Sequence, residues 1–120
     1  MDCKEWVWMK MSNVGEQVPP PLASACAAPL EDDQVLIFGG ASIGPTGYEG
    51  GMGMIPQDGT WRLSVKDNEA TCQPIDTPVK PEGRVAASFC LTGSSCLLLQ
   101  GGYDPLGKKT FEEPWILKSA

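Results

Sequence analysis

Two copies of one pattern run through this chain, and each copy ends in a pair of glycines. One apolar run leads into Gly39-Gly40, and a second leads into Gly101-Gly102, which lies 62 positions further on. A tryptophan segment follows each pair, around Trp61 and around Trp115. Self-similarity at such a period indicates small supersecondary units placed one after another along the chain.

The composition and periodicity predict an all-β fold. The 120 residues include 14 glycines and 11 prolines, a content that suits short strands joined by turns. No window of a dozen residues spaces its apolar positions as a helix requires. We predict eight strands, over 6–11, 22–28, 34–38, 60–65, 71–75, 85–91, 96–100 and 114–118.

The segments between the glycine pairs and the tryptophans differ in length. The first is eight residues longer than the second, and the extra residues fall within 44–54. Their glycines do not indicate a phosphate loop, because neither a helix nor a lysine follows. We interpret the segment as a flexible insertion at the surface that folding does not require.

The charge pattern and the residue types present argue against several classes of function. A net charge of −6 with scattered basic residues disfavours nucleic acid as a partner. The absence of histidine excludes histidine-based catalysis and most zinc or copper sites. The acidic cluster 31–33 reads as a solvated turn, since the alternating oxygen ligands of a calcium loop are missing. We predict no metal and no cofactor.

The same features bear on the cellular compartment. No apolar run approaches the ~20 residues of a membrane span, and the first residues do not resemble a secretory signal. The five cysteines include no Cys-x-x-Cys pair and are expected to be reduced thiols. We therefore expect a cytoplasmic protein without a membrane partner.

One stretch carries a resemblance to a known family. Pro81 and Arg84 precede a strand of small residues, and the next predicted strand ends in Gly101-Gly102. This order resembles the kelch repeat, whose units form the blades of a β-propeller. The chain departs from the family pattern at two positions. Leu22 stands in the first unit at the place that Arg84 occupies in the second, and Cys72 stands where the family commonly has a second tryptophan.

The resemblance implies two kelch-type blades, either as an open fragment or as part of a ring that other chains close. Residues 1–18 would be the last strand of a preceding blade, 19–78 a first full blade, and 79–120 three strands of a second. The residues expected to have structural roles in these blades are Gly39, Gly40, Trp61, Arg84, Gly101, Gly102 and Trp115.

The predicted function is that of a non-catalytic module that binds a protein partner through loops at one rim. The residues expected to contact this partner are Tyr48, Glu49, Met52, Met54, Ile55, Tyr103 and Asp104. The alternative is a structural subunit that closes a propeller ring with copies of itself. An enzyme is disfavoured because no paired carboxylates can be located, although Glu49 and Asp104 could face each other across the rim.

The strand count leads to a specific hypothesis about assembly. Two blades cannot close a ring, because propellers use ~4–8. The strand over 6–11 would pair with the incomplete last blade of another copy, which gives three copies for six blades or four copies for eight. This pairing would bury Trp6 or Trp8 between chains.

Overall fold

The computed structural model describes residues 6–15, 19, 21–43, 54–93 and 96–118. These residues form twelve strands and no helix, which confirms the predicted all-β class. The strands are arranged as two larger sheets and two short hairpins. In chain order they are β1 Ser12–Val14, β2 Cys26–Leu30, β3 Gln34–Phe38, β4 Ala41–Ile43, β5 Met54–Pro56, β6 Thr60–Lys66, β7 Glu69–Ile75, β8 Ser88–Thr92, β9 Cys96–Gln100, β10 Tyr103–Asp104, β11 Lys109–Thr110 and β12 Trp115–Lys118.

The first sheet has the strand order β1-β7-β6-β3-β2, and the second has the order β12-β9-β8. All pairs within them are antiparallel except β1 with β7, which is parallel. The two-residue turn from β6 to β7 has positive φ at Asp67 (50°) and Asn68 (64°), which matches the right-handed twist of the flanking strands.

The sequence repeat is reproduced in the backbone. Ile37 lies opposite Trp61 in the first sheet, and Leu99 lies opposite Trp115 in the second. The bridge between Ala23 and Ala41 returns as the bridge between Val85 and Tyr103, again 62 positions later. Two stretches of this chain therefore fold in the same way.

Two predicted strands begin later than expected, for the same reason. The strands predicted from 22 and 85 begin at Cys26 and Ser88. Ser24 (φ 57°) and Ala86 (φ 58°) adopt left-handed conformations just before them, and such a residue interrupts an extended strand. The apolar pattern continues through these residues, so the interruption was not visible in the sequence.

The strand predicted over 6–11 is wrong, because residues 6–11 have no regular structure and the strand begins at Ser12. Trp6 and Trp8 are almost fully exposed, at 91% and 102% of their reference areas. A pattern of bulky residues shows only that a segment can form a strand, and a neighbouring strand must be present to pair with it.

The core lies between the two larger sheets. In one cluster, Leu99 of the second sheet packs against Cys26 and Phe38 of the first. In the other, Leu97 packs against Ala28 and Leu36. These residues alternate along β2, β3 and β9, so one face of each sheet is turned toward the other sheet.

Candidate functional site

A short hairpin follows each glycine pair. β4 pairs with β5 after Gly40, and β10 pairs with β11 after Gly102. Each hairpin is held at its base by a backbone hydrogen bond, from Gln57 N to Gly40 O at 2.8 Å and from Phe111 N to Gly102 O at 3.1 Å. The segment interpreted as a flexible insertion therefore contains the start of a strand, because Met54 opens β5.

The glycine pairs are needed to turn the chain into these hairpins. All four glycines have positive φ, between 72° and 102°. A side chain at Gly39 would also bring its Cβ to 2.7 Å from the carbonyl oxygen of Arg84. At Gly101 a Cβ would meet nothing within 4 Å, so at that position the conformation alone favours glycine.

Arg84 joins the two repeats at this end of the molecule. Its carbonyl oxygen accepts a hydrogen bond from Gly40 N at 2.8 Å, in the first repeat. Its guanidinium donates to the carbonyl oxygens of Glu82 and Gly101, each at 3.1 Å, and lies 3.8 Å from the centre of the Phe111 ring. The residue is only 2% exposed. Arg84 therefore contacts both repeats through its backbone and its side chain.

The guanidinium group of Arg84 is partly shielded from water. Burial lowers the pKa of its guanidinium, and the nearby Glu82 carboxylate opposes that shift. Arginine nevertheless remains protonated in proteins, so both hydrogen bonds and the ring contact involve a cation.

The link 80–84 holds both hairpin regions together. Lys109 in the second hairpin forms an ion pair with Glu82 at 2.8 Å, and Lys80 lies 3.8 Å from Asp58, just after the first hairpin. These groups are about half exposed, so each pair contributes little stability. The ion pairs instead hold the hairpins in position, since both hairpins are tied to one short segment.

The described hairpins contain four of the seven residues predicted to bind a partner. Met54 and Ile55 are half-buried in β5, so they are less available than expected. Tyr103 is 39% exposed in β10. The carboxylate of Asp104 accepts hydrogen bonds from the backbone nitrogens of Leu106 and Gly107, at 2.9 and 3.0 Å, and so stabilises a turn. The other predicted residues lie outside the described part: Tyr48, Glu49 and Met52.

The two tryptophans occupy equivalent positions but different surroundings. Trp115 packs against the core cluster between the sheets. Trp61 lies on the opposite side of the first sheet from the core and is half-buried. The second sheet of this chain therefore does not cover it.

Sequence reasoning missed two residues of the hairpin regions. Leu106, at the tip of the second hairpin, exposes 49% of its area. Gln57 donates from Nε2 to the hydroxyl of Ser42 at 2.8 Å and ties β5 back to β4. A lone leucine or glutamine in a loop carries no periodic signal, so neither residue could be found by its pattern.

A cleft of about 590 Å³ opens between the two sheets at the other end, beside the turn 31–33. Its floor includes Leu36, Leu97 and Leu117, and its edge carries Arg62 and Lys118. Arg62 donates to Gln73 Oε1 at 2.6 Å. The cleft is concave and has both polar and apolar lining, but the predicted partner-binding residues do not line it.

The remaining chemical groups are few in the part of the chain that the structure describes. Its four cysteines are free thiols, and burial raises the pKa of Cys26 and of Cys72. Within the same residues, no group of three or more histidine, cysteine, aspartate or glutamate side chains is placed to hold a metal ion. No helix among them has the length and apolarity needed to cross a membrane.

The chain is similar to a short part of a dynein chain. No family model matches the chain. Over 116 residues, or 97% of its length, the chain is 28% identical to the dynein alpha chain of the flagellar outer arm from Chlamydomonas reinhardtii. It spans only 2% of that protein's length.

Proposed function

We propose that the chain consists of two kelch-type propeller blades, the first within 19–78 and the second within 79–120. The structural repeat supports this proposal, because each unit pairs its strands in the same register and places a glycine pair before a hairpin. The contacts of Arg84 support it as well, since the arginine of the P-x-x-R segment joins one unit to the next.

The function that the geometry supports best is non-catalytic binding of a protein partner. The observation that carries this proposal is that two hairpins are tied to one link and that the second hairpin presents exposed apolar side chains. We call the residues 54–57, 80–84 and 103–111 the hairpin surface. Tyr103 and Leu106 are its most exposed large apolar groups, and such groups on a fixed frame suit recognition.

The dynein similarity agrees with a unit that works inside a larger assembly. The similar protein is named as a chain of a flagellar outer arm, and the matching segment is a small part of it. We propose on this basis that the partner is a protein.

A structural subunit that associates with its own copies is the second candidate. The uncovered position of Trp61 favours it, because its counterpart Trp115 is packed between sheets. The two candidates use different surfaces, so they can be tested separately.

Selection of peptide ligands tests the hairpin surface. A random peptide library displayed on phage is selected against the immobilised full chain, and the selected peptides are labelled and titrated. We expect the double variant Tyr103→Ala/Leu106→Ala to bind them at least about tenfold more weakly than the parent. Leu91→Ala, which alters the cleft at the other end, is the control and should bind normally.

Two results would contradict the proposal. One is a selection that yields no peptide, and the other is loss of binding in Leu91→Ala but not in the hairpin variant. Far-ultraviolet circular dichroism of each variant shows whether its fold is retained.

A further inference from the structure

The two larger sheets meet through unlike faces. The first sheet contributes Leu36 and Phe38 to the core, and the second contributes Leu97 and Leu99. With the repeat offset of 62, the second-sheet counterparts of Leu36 and Phe38 are residues 98 and 100, which alternate with Leu97 and Leu99. The contact is therefore head to tail, because one repeat uses one face and the next repeat uses the opposite face.

Among the residues that the structure describes, a head-to-tail contact between two units leaves one face of each sheet without a partner sheet. On the first sheet this face carries Val35, Ile37, Trp61 and Leu63, which are half-buried, together with the buried Ala70 and Cys72. We call it the outer face of the first sheet. Its residues are the counterparts of Leu97, Leu99, Trp115 and Leu117, the set with which the second sheet packs into the core.

The outer face of the second sheet carries the matching surface. Leu98 lies between Cys90 and Ile116 in neighbouring strands, and Ile116 is 55% exposed. These three residues are the counterparts of Ala28, Leu36 and Arg62 on the covered face of the first sheet. Around them Ser88 and Gln100 replace the apolar Cys26 and Phe38, so an apolar centre has a polar margin.

We propose that these two outer faces bind each other, so that the outer face of the first sheet in one copy docks on the outer face of the second sheet in another. The proposal rests on the second candidate function, and its occupant is a second copy of this chain, because the chain already holds the equivalent pair of faces in contact. The proposal does not depend on the hairpin surface or on the terminal strand predicted over 6–11. Repetition of one heterologous contact either closes a ring or extends an open array.

The polar margin sets the expected strength of this contact. Gln100 stands where the internal contact has Phe38, so the contact between copies buries less apolar surface than the internal one. We therefore expect reversible association that increases between about 1 and 100 µM. The mass in solution should rise from 12.8 kDa toward multiples of that value.

Two single variants distinguish this contact from any other. Ile37→Glu blocks the outer face of the first sheet, and Ile116→Glu blocks that of the second. Each variant alone should remain a monomer across the concentration range in analytical ultracentrifugation. Leu106→Glu, on the second hairpin, is the control and should associate like the parent.

Mixing the two variants gives the sharpest outcome. Each mixed pair has one unaltered face of each kind, so the mixture should form dimers that cannot extend further. A contact between like faces would instead let one of the single variants dimerise alone. The proposal is overturned if the parent stays monomeric at about 100 µM, if either single variant associates, or if the mixture remains monomeric. Circular dichroism and Ile37→Ala, which adds no charge, separate loss of association from loss of folding.

Discussion

Replacing Arg84 should destabilise the protein far more than replacing its other arginine. The guanidinium makes two charge-assisted hydrogen bonds of 3.1 Å, for which about 1.5–3 kcal/mol each is typical. Its contact with Phe111 adds about 1–2 kcal/mol. In Arg84→Met these contributions are lost, and the figure for the bond to Gly101 already includes the cost of leaving that carbonyl without a partner.

One effect of the substitution acts in the opposite direction. Methionine removes the cost of dehydrating a buried cation, which is several kcal/mol. The net loss in the free energy of unfolding is therefore expected to be about 2–4 kcal/mol, a large part of the 5–15 kcal/mol usual for a domain. Arg84→Lys should lie between parent and Arg84→Met, because a lysine cannot make both bonds and stack on the ring.

Urea unfolding followed by tryptophan fluorescence measures this difference. Arg62→Met is the matched control, because Arg62 makes one exposed hydrogen bond, to Gln73, and should cost less than about 1 kcal/mol. Equal losses in Arg84→Met and Arg62→Met would refute the reasoning, and so would a stable Arg84→Met.

Three further predictions concern the backbone, the thiols and the hairpins. Gly39→Ala should lower the free energy of unfolding by at least about 1 kcal/mol more than Gly101→Ala, because only at Gly39 would the new Cβ meet a backbone oxygen, at 2.7 Å; equal urea midpoints would contradict this. Stability should fall as the pH rises above the ordinary thiol pKa of 9.0. Burial raises the folded-state pKa of the Cys26 and Cys72 thiols, so the stabilisation that is present below pH 9.0 is lost as the pH rises through these raised values. Thermal unfolding from pH 8 to 10.5 should show a shallower fall in Cys26→Ala/Cys72→Ala, and an unchanged slope would show that the thiols do not contribute. Replacing residues 43–54 by the sequence of residues 105–108 should change the unfolding free energy by no more than about 1 kcal/mol, because the second hairpin forms the equivalent pairing with that shorter turn; loss of the β-type circular dichroism spectrum would show that the longer segment is needed for folding.

The sequence predicted the repeated strand pairs well, and the reasons are visible in particular residues. The apolar runs before Gly39 and Gly101 have the period and the terminal glycines of paired strands, and they form β3 and β9. The late starts of β2 and β8 depend on positive φ at Ser24 and Ala86. Serine and alanine do not predict such a conformation.

The candidate site was less accessible to sequence reasoning. Tyr103 could be placed near a rim because it follows a glycine pair. The extent to which Met54 and Ile55 are covered depends on the pairing of β4 with β5, and that pairing is between segments too short to show a period. Leu106 and the ion pair between Lys109 and Glu82 arise from tertiary contacts alone.

The parallel pairing of β1 with β7 has a consequence for the order of folding. Ser12 lies beside Glu69, so this pair can form only after β2, β3, β6 and β7 have brought the intervening chain together. β1 has only three residues, and the segment before it is exposed, so little holds the strand once it opens. We expect the amides of β1 to exchange with deuterium through local opening long before those of β3 and β6, which lie in the middle of the sheet. The edge of β7 would then be uncovered repeatedly while the rest of the molecule stays folded.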